Sequence, residues 1–310
     1  MKTAKSFSVI FSIVLAAVVA AQQEGFPVLK GQYLGQTPPG TKPVRFASGI
    51  ISTEAVEACL CFSHDDRFLV FRRGFREDTD IYLSQLEDGV WIEPTRAPFF
   101  DEEYRFGDFT FSPNEPVLYF TTDRPLKPGT ARAESANLWK VEYKNWEWLK
   151  PSPIAGAVNS PLHESYPSVS KEKTLYFFRR FDAEEGLSEI MFSNIDNGVF
   201  SEPIRMGEEI NTQWDEWDPA IAPDGSFLIF CSKKPSGFGR DDLYVSFKTV
   251  NGGWTGSINL GPQINSEESE NRPFITADGK YLFYNSSVSG SRDVYWVAVG
   301  AVEDLRPIDE

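Results

Sequence analysis

Cysteine and histidine are scarce in this chain, with three cysteines and two histidines in 310 residues. Cys59 and Cys61 stand two apart on a predicted strand, so they share a face and cannot readily bridge each other. Whether Cys231 reaches either one is left open by the sequence. With no C-x-x-C spacing, the three support neither a zinc site nor a disulfide framework. His64 and His163 are too few for a histidine-based metal cage, and no metal or cofactor is expected. Positive charge is also short: 30 basic residues face 45 acidic ones, for a formal net charge of −15. That balance argues against nucleic acid or an anionic membrane as partner. Long apolar runs are missing after the first 21 residues, so no membrane span is expected. G-x-S-x-G, P-loop and dinucleotide fingerprints are absent as well.

What is present begins with an address. Lys2 and Lys5 precede an apolar run from Phe7 to Val19, followed by the small residues Ala20 and Ala21. This reads as a secretory signal peptide over 1–21, cleaved near Ala21, which predicts an exported protein, periplasmic or secreted. Residues 22–310 are then expected to form a single domain, and a monomer.

The body of the chain repeats itself. Glu216-x-x-Pro219 returns as Glu270-x-x-Pro273, 54 residues later, and a period in this range marks a propeller, solenoid or array. Short apolar runs recur at 68–71, 117–120, 175–178, 227–230 and 281–284. They are aromatic-rich and suit strands buried on both faces. A third strand follows each run (DIYL, NLWK, EIMF, DLYV, DVYW), and a fourth begins at Trp91, Trp148, Phe200 and Trp254. The last copy lacks its fourth strand, whereas Pro43–Ser52 superposes on Pro203–Thr212 without a gap. The spacing thus predicts an all-β, five-bladed β-propeller of four-stranded antiparallel blades. The blades fall at about 54–100, 103–160, 161–212, 213–266, and 267–303 joined to 36–53. The N-terminal strand completes the last blade and removes the free sheet edges. Six blades is the alternative, but about 40 more residues would be needed.

The pattern E-x-x-P-x-x-(S/A/T)-x-D-G, an apolar strand, a polar turn and D-(I/L/V)-Y resembles the TolB-type, WD40-like propeller repeat. It does so most specifically at 214–297, and the likeness is to exported single-domain bacterial members. Leu60 and Phe109 replace Pro, and Phe106 replaces Glu, in the first two blades. The resemblance implies a binding or scaffold module; fold alone licenses no activity.

Candidate site residues fall on the face formed by the loops entering the inner strands. The repeated acids are Glu57, Glu164, Glu216 and Glu270; near them lie Arg72, Arg73, Arg124, Arg179, Arg180, Lys233 and Lys234. Repetition favours a structural role, because a catalytic residue is needed once and a cap is needed in every blade. Residues that break the repeat are sharper candidates: Tyr104, Arg105 and Phe106, Tyr166, Trp214 and Trp217. Aromatics beside carboxylates suit sugars or peptide side chains. Against this stands packing between blades; Trp214 is the one expected to be exposed. The reading is a propeller that binds a glycan, small molecule or protein partner at its central funnel without catalysis. A glycan-acting hydrolase using funnel carboxylates and a cell-envelope interaction scaffold are the alternatives.

Overall fold

The computed structural model of the chain describes residues 25–74, 79–181 and 187–308. The expected signal peptide lies outside them. Among these residues, twenty-three strands form five antiparallel sheets, with one short α-helix at Gly300–Glu303. Among the described residues no helix is long and apolar enough to cross a membrane.

Each sheet is a blade. The inner strands are Glu57–Phe62, Phe106–Phe111, His163–Val169, Glu216–Ile221 and Glu270–Ile275. The second strands, Phe68–Arg73, Val117–Thr122, Thr174–Arg180, Phe227–Ser232 and Tyr281–Ser286, carry the apolar runs. Their central residues are buried because each sheet is covered on both faces by neighbouring blades. In the first three blades the outer strand is broken into two-residue pieces, such as Val90–Trp91 and Thr95–Arg96. Pro94, Pro151 and Pro203 fall near those breaks, where a residue without an N–H is tolerated at a sheet edge.

The ring closes as the repeat predicts. Val44–Arg45 pairs antiparallel with Asp293–Ala298, placing Val44 opposite Trp296 and Arg45 opposite Tyr295, in a sheet that holds the last blade's other strands. Arg45 also meets the buried Asp293 at 2.7 Å. Phe46 is fully buried against Phe62, Phe283 and Trp296. Five blades are formed, not six.

Consecutive blades are joined by one recurring device. Asn211 accepts a hydrogen bond from Ile190 N–H and donates to the Ile190 and Met206 carbonyls. Asn159 grips Leu138 and Asn265 grips Leu243 in the same way, while Ser52 bonds Val294. The next residue then caps an inner-strand glutamate. Thr53, Ser160, Thr212 and Ser266 each donate backbone N–H and hydroxyl to Glu57, Glu164, Glu216 and Glu270. All four glutamates are fully buried. The passage from blade one to blade two runs through Ala97, Pro98, Phe99 and Phe100 and has neither the asparagine nor the glutamate.

Blade three is one residue shorter than blade one between its first two strands. Its first hairpin is tighter: Ser170 N–H bonds Thr174 O, whereas Ser63 N–H reaches Phe68 O. Glu164 therefore pairs opposite Arg179, which stands where blade one has Arg73 opposite Glu57. Phe178 takes the place of Arg72.

Candidate functional site

Every inner strand carries a β-bulge two residues after the repeat's first position. Cys59, Tyr166, Asp218 and Arg272 have φ of 50–55° there, a conformation uncommon for residues with a Cβ. A bulge bends the strand and re-aims the side chain, here toward the propeller axis. Asp108 occupies the equivalent position in blade two. Contacts between non-adjacent blades place these five side chains together. Arg272 Nε of blade five donates to Asp108 Oδ1 of blade two at 3.0 Å. Tyr166 OH of blade three donates to Pro273 O of blade five at 3.0 Å. Cys59 Sγ donates to Asp108 Oδ1 at 2.9 Å, and Asp218 Oδ2 accepts from Arg272 N–H at 3.3 Å.

Electrostatics split the two acids. Burial works to raise Asp108, but Arg272 and Arg72 outweigh it and hold the carboxyl below its usual range. Asp218 moves up, through burial and the negative charge of Asp108, with Arg272 opposing. Burial and Asp108 also push the Cys59 thiol up, so it stays protonated. Beneath the ring, Phe62, Phe109, Phe111, Tyr166, Val169, Ile221 and Phe274 leave a gap of about 20 Å³, room for roughly one water. The funnel is narrowed from below by this apolar packing.

Above the ring a cleft of about 1080 Å³ opens over blade two. Its walls include Phe100, Tyr104, Arg105, Phe106, Thr121, Asp123, Arg132, His163, Ser165 and Phe178, and Asp108 lies at its inner end. It sits where the asparagine–glutamate joint between blades is missing. Phe106, in the glutamate's place, stacks on Phe120 at 5.0 Å instead of binding a cap. His163 lies 5.9 Å from Phe178, and burial with Arg180 nearby lowers its pKa, so it is held neutral against the opposing pull of Asp108. Arg105 is 78% exposed in its side chain, and its backbone N–H bonds Asp123 at 2.9 Å.

The sequence-derived candidates separate into groups. Tyr104 and Arg105 line the cleft, and Tyr166 belongs to the axial ring. Glu57, Glu164, Glu216 and Glu270 point into their own caps and bond or approach Arg73, Arg179, Lys234 and Ser286 respectively. Burial raises Glu164, Glu216 and Glu270, offset by these hydrogen bonds. Arg180 is exposed and meets Ser188 at 3.3 Å. Trp214 is 38% exposed and outside the cleft; Trp217 packs on the core between blades four and five under Lys233 Nζ at 5.0 Å. Cys59, Cys61 and Cys231 are all free thiols. The sequence reading missed the axial use of Cys59, Asp108, Asp218 and Arg272. The signal was there: each stands at the same offset from the repeat's first residue.

No protein-family model matches the sequence, and no curated protein matches it. Solved structures do. A thermostable family-43 glycoside hydrolase shares 10% identity over 81% of this chain and 91% of its own, at a TM-score of 0.53. α-L-arabinofuranosidase from Lactobacillus brevis shares 10% over 79% and 90%, at 0.51. TolB from Acinetobacter baumannii shares 13% over 93% and 68%, at 0.46. At such identities likeness speaks for architecture, and the architecture that the chain displays is a five-bladed β-propeller.

Proposed function

We propose that this chain is an exported binding propeller that takes a small polar ligand, such as a glycan or a peptide end, into the funnel from the blade-two side. The observation that supports it most is local. Among the described residues, the joint that lacks both the clamp (asparagine, or Ser52 before blade one) and the capped glutamate coincides with a cleft of about 1080 Å³ that reaches the axial ring. Clefts that combine aromatic walls with a few directed polar groups are the usual form of small-ligand sites. Tyr104, Phe178 and His163 supply flat faces, and Asp108, Asp123 and Arg105 supply polar contacts. The basic-start, apolar leader supports export.

A thermal-shift screen of the purified chain against oligosaccharides and short peptides tests this. A ligand at a hundredfold its Kd stabilises by about 2.7 kcal/mol. The same ligand should shift Tyr104→Ala far less. No shift by any probe at millimolar concentration would sink the reading.

The depressed Asp108 and raised Asp218 favour one second reading, a hydrolase. Carboxyls pushed apart in this way are how a site obtains a base and an acid together. Turnover of a bound oligosaccharide, abolished in both Asp108→Asn and Asp218→Asn, would decide for it.

A further inference from the structure

The outer edges of three blades are sealed by the chain's own backbone. In blade three, Phe200 stands opposite Ile195, and the next residue, Ser201, donates its N–H to Asn194 O within the blade. By the alternation of an antiparallel pair, the Phe200 N–H and C=O then point away from the blade. They meet the segment leaving blade two: Phe200 N–H donates to Ala155 O at 2.9 Å, and Ala157 N–H donates to Phe200 O at 3.3 Å. In blade one, Trp91 stands opposite Leu86 in the same way, and its N–H donates to Leu29 O at 2.9 Å. In blade four, Ser257 N–H donates to Glu209 O at 3.1 Å.

Blade two lacks this seal. Trp148 stands opposite Tyr143, and Leu149 N–H donates to Glu142 O, so Trp148 turns its N–H and C=O outward as Trp91 and Phe200 do. Neither group has a hydrogen-bond partner among the described residues. The cause lies in the segment leaving blade one. Gly156 crosses Phe200 with φ at 116°, and a Cβ there would collide with the Phe200 carbonyl. The exits align on the residue whose N–H bonds its own blade's third strand, Ala97 to Ile81 O and Ile154 to Leu138 O. In that alignment Phe99 holds the place of Gly156. Its ring packs on Trp148 at 4.9 Å and props the seam open. Between the two segments lies a cavity of about 660 Å³, walled by Pro98, Phe99, Phe100, Trp148, Leu149 and Pro151. Of the charged residues around it, Arg124 takes Asp101 and Arg96 takes Glu102, whereas the exposed Lys150 has no partner among the described residues.

We propose that this seam docks an extended peptide of a partner protein. The peptide pairs its main chain with Trp148, sets an apolar side chain beside Phe99 and Leu149, and carries an acid toward Lys150. Blades one and three display the binding mode, because segments of the chain itself occupy the equivalent place there. Strand addition at an unpaired edge draws affinity from main-chain bonds and specificity from the alternate side chains. Folded proteins otherwise hide such an edge.

Amide hydrogen exchange read by NMR tests this. In the free protein the Trp148 amide should exchange at least about tenfold faster than those of Trp91 and Phe200. The probe is a peptide of residues 153–158, the chain's own blade-three filler, with a glutamate added at each end. In excess, it should slow exchange at Trp148 by about tenfold or more. Lys150→Glu should transfer the preference to a lysine-ended counterpart. A version N-methylated at the residue matching Ala157 cannot donate to Trp148 O and should bind about tenfold more weakly. Equal affinity of the methylated and parent peptides would overturn strand pairing, as would a slow Trp148 amide in the free monomer. Protection that appears only on self-association, followed by light scattering, would assign the seam to a second copy and overturn the partner peptide. No binding of either charged peptide at millimolar concentration would overturn the proposal outright.

Discussion

Asn211 accepts from Ile190 N–H at 2.7 Å and donates to two carbonyls at 2.9 and 3.1 Å, all within the buried joint between blades three and four. Alanine there would strand buried backbone groups, each at about 1–3 kcal/mol. Asn211→Ala is expected to lower unfolding free energy by about 2–4 kcal/mol in urea titrations, with the slope unchanged. Asp218 acts in the other direction. Its carboxyl holds its proton more tightly in the fold than in the unfolded chain. The native state therefore binds the extra proton above the ordinary carboxyl range, and that contribution is lost as pH rises through the raised pKa. Asp218→Asn keeps a neutral side chain and should flatten the loss of stability between pH 5 and 8, read as the difference from wild type in paired denaturation curves. An unchanged difference would show that Asp218 ionises normally.

At the scale of elements, strand order and ring closure were legible in the sequence because both follow from period. A run such as FLIF is long enough to mark a doubly covered strand, and the gapless match of Pro43–Ser52 to Pro203–Thr212 located the closing strand. The axial ring was harder to read for a physical reason. Its members, Cys59, Asp108, Tyr166, Asp218 and Arg272, share a bulge and no chemistry, so a comparison of repeats by residue type passes over them. The doubled phenylalanine Phe177-Phe178 likewise hid the shorter hairpin, since either ring satisfies an apolar pattern while only one faces the sheet interior as Phe71 does. The closing element also carries a prediction. Phe46 fills space among Phe62, Phe283 and Trp296. Phe46→Ala should cost about 3–5 kcal/mol by calorimetry or denaturant, the usual range for an aromatic removed from a core. A cost below about 1 kcal/mol would mean the last blade holds together without its borrowed strand.

Over the whole molecule, a net charge of −15 acts against compaction. Raising ionic strength from about 0.01 to about 0.15 M shortens the screening length from roughly 30 to 8 Å. The melting temperature should therefore rise with added sodium chloride, and a flat response would mean that the exposed ion pairs offset the repulsion. The pairing of Val44 with Trp296 has a further consequence, in time. The Val44 strand is made about 250 residues before its partner, and the entropy of closing so long a loop is lost before that contact returns anything. Four blades can assemble from local hairpins while the fifth stands with an open edge, so ring closure is the expected slow step of folding. Until it is complete, the nascent ring exposes the edge that the finished one conceals.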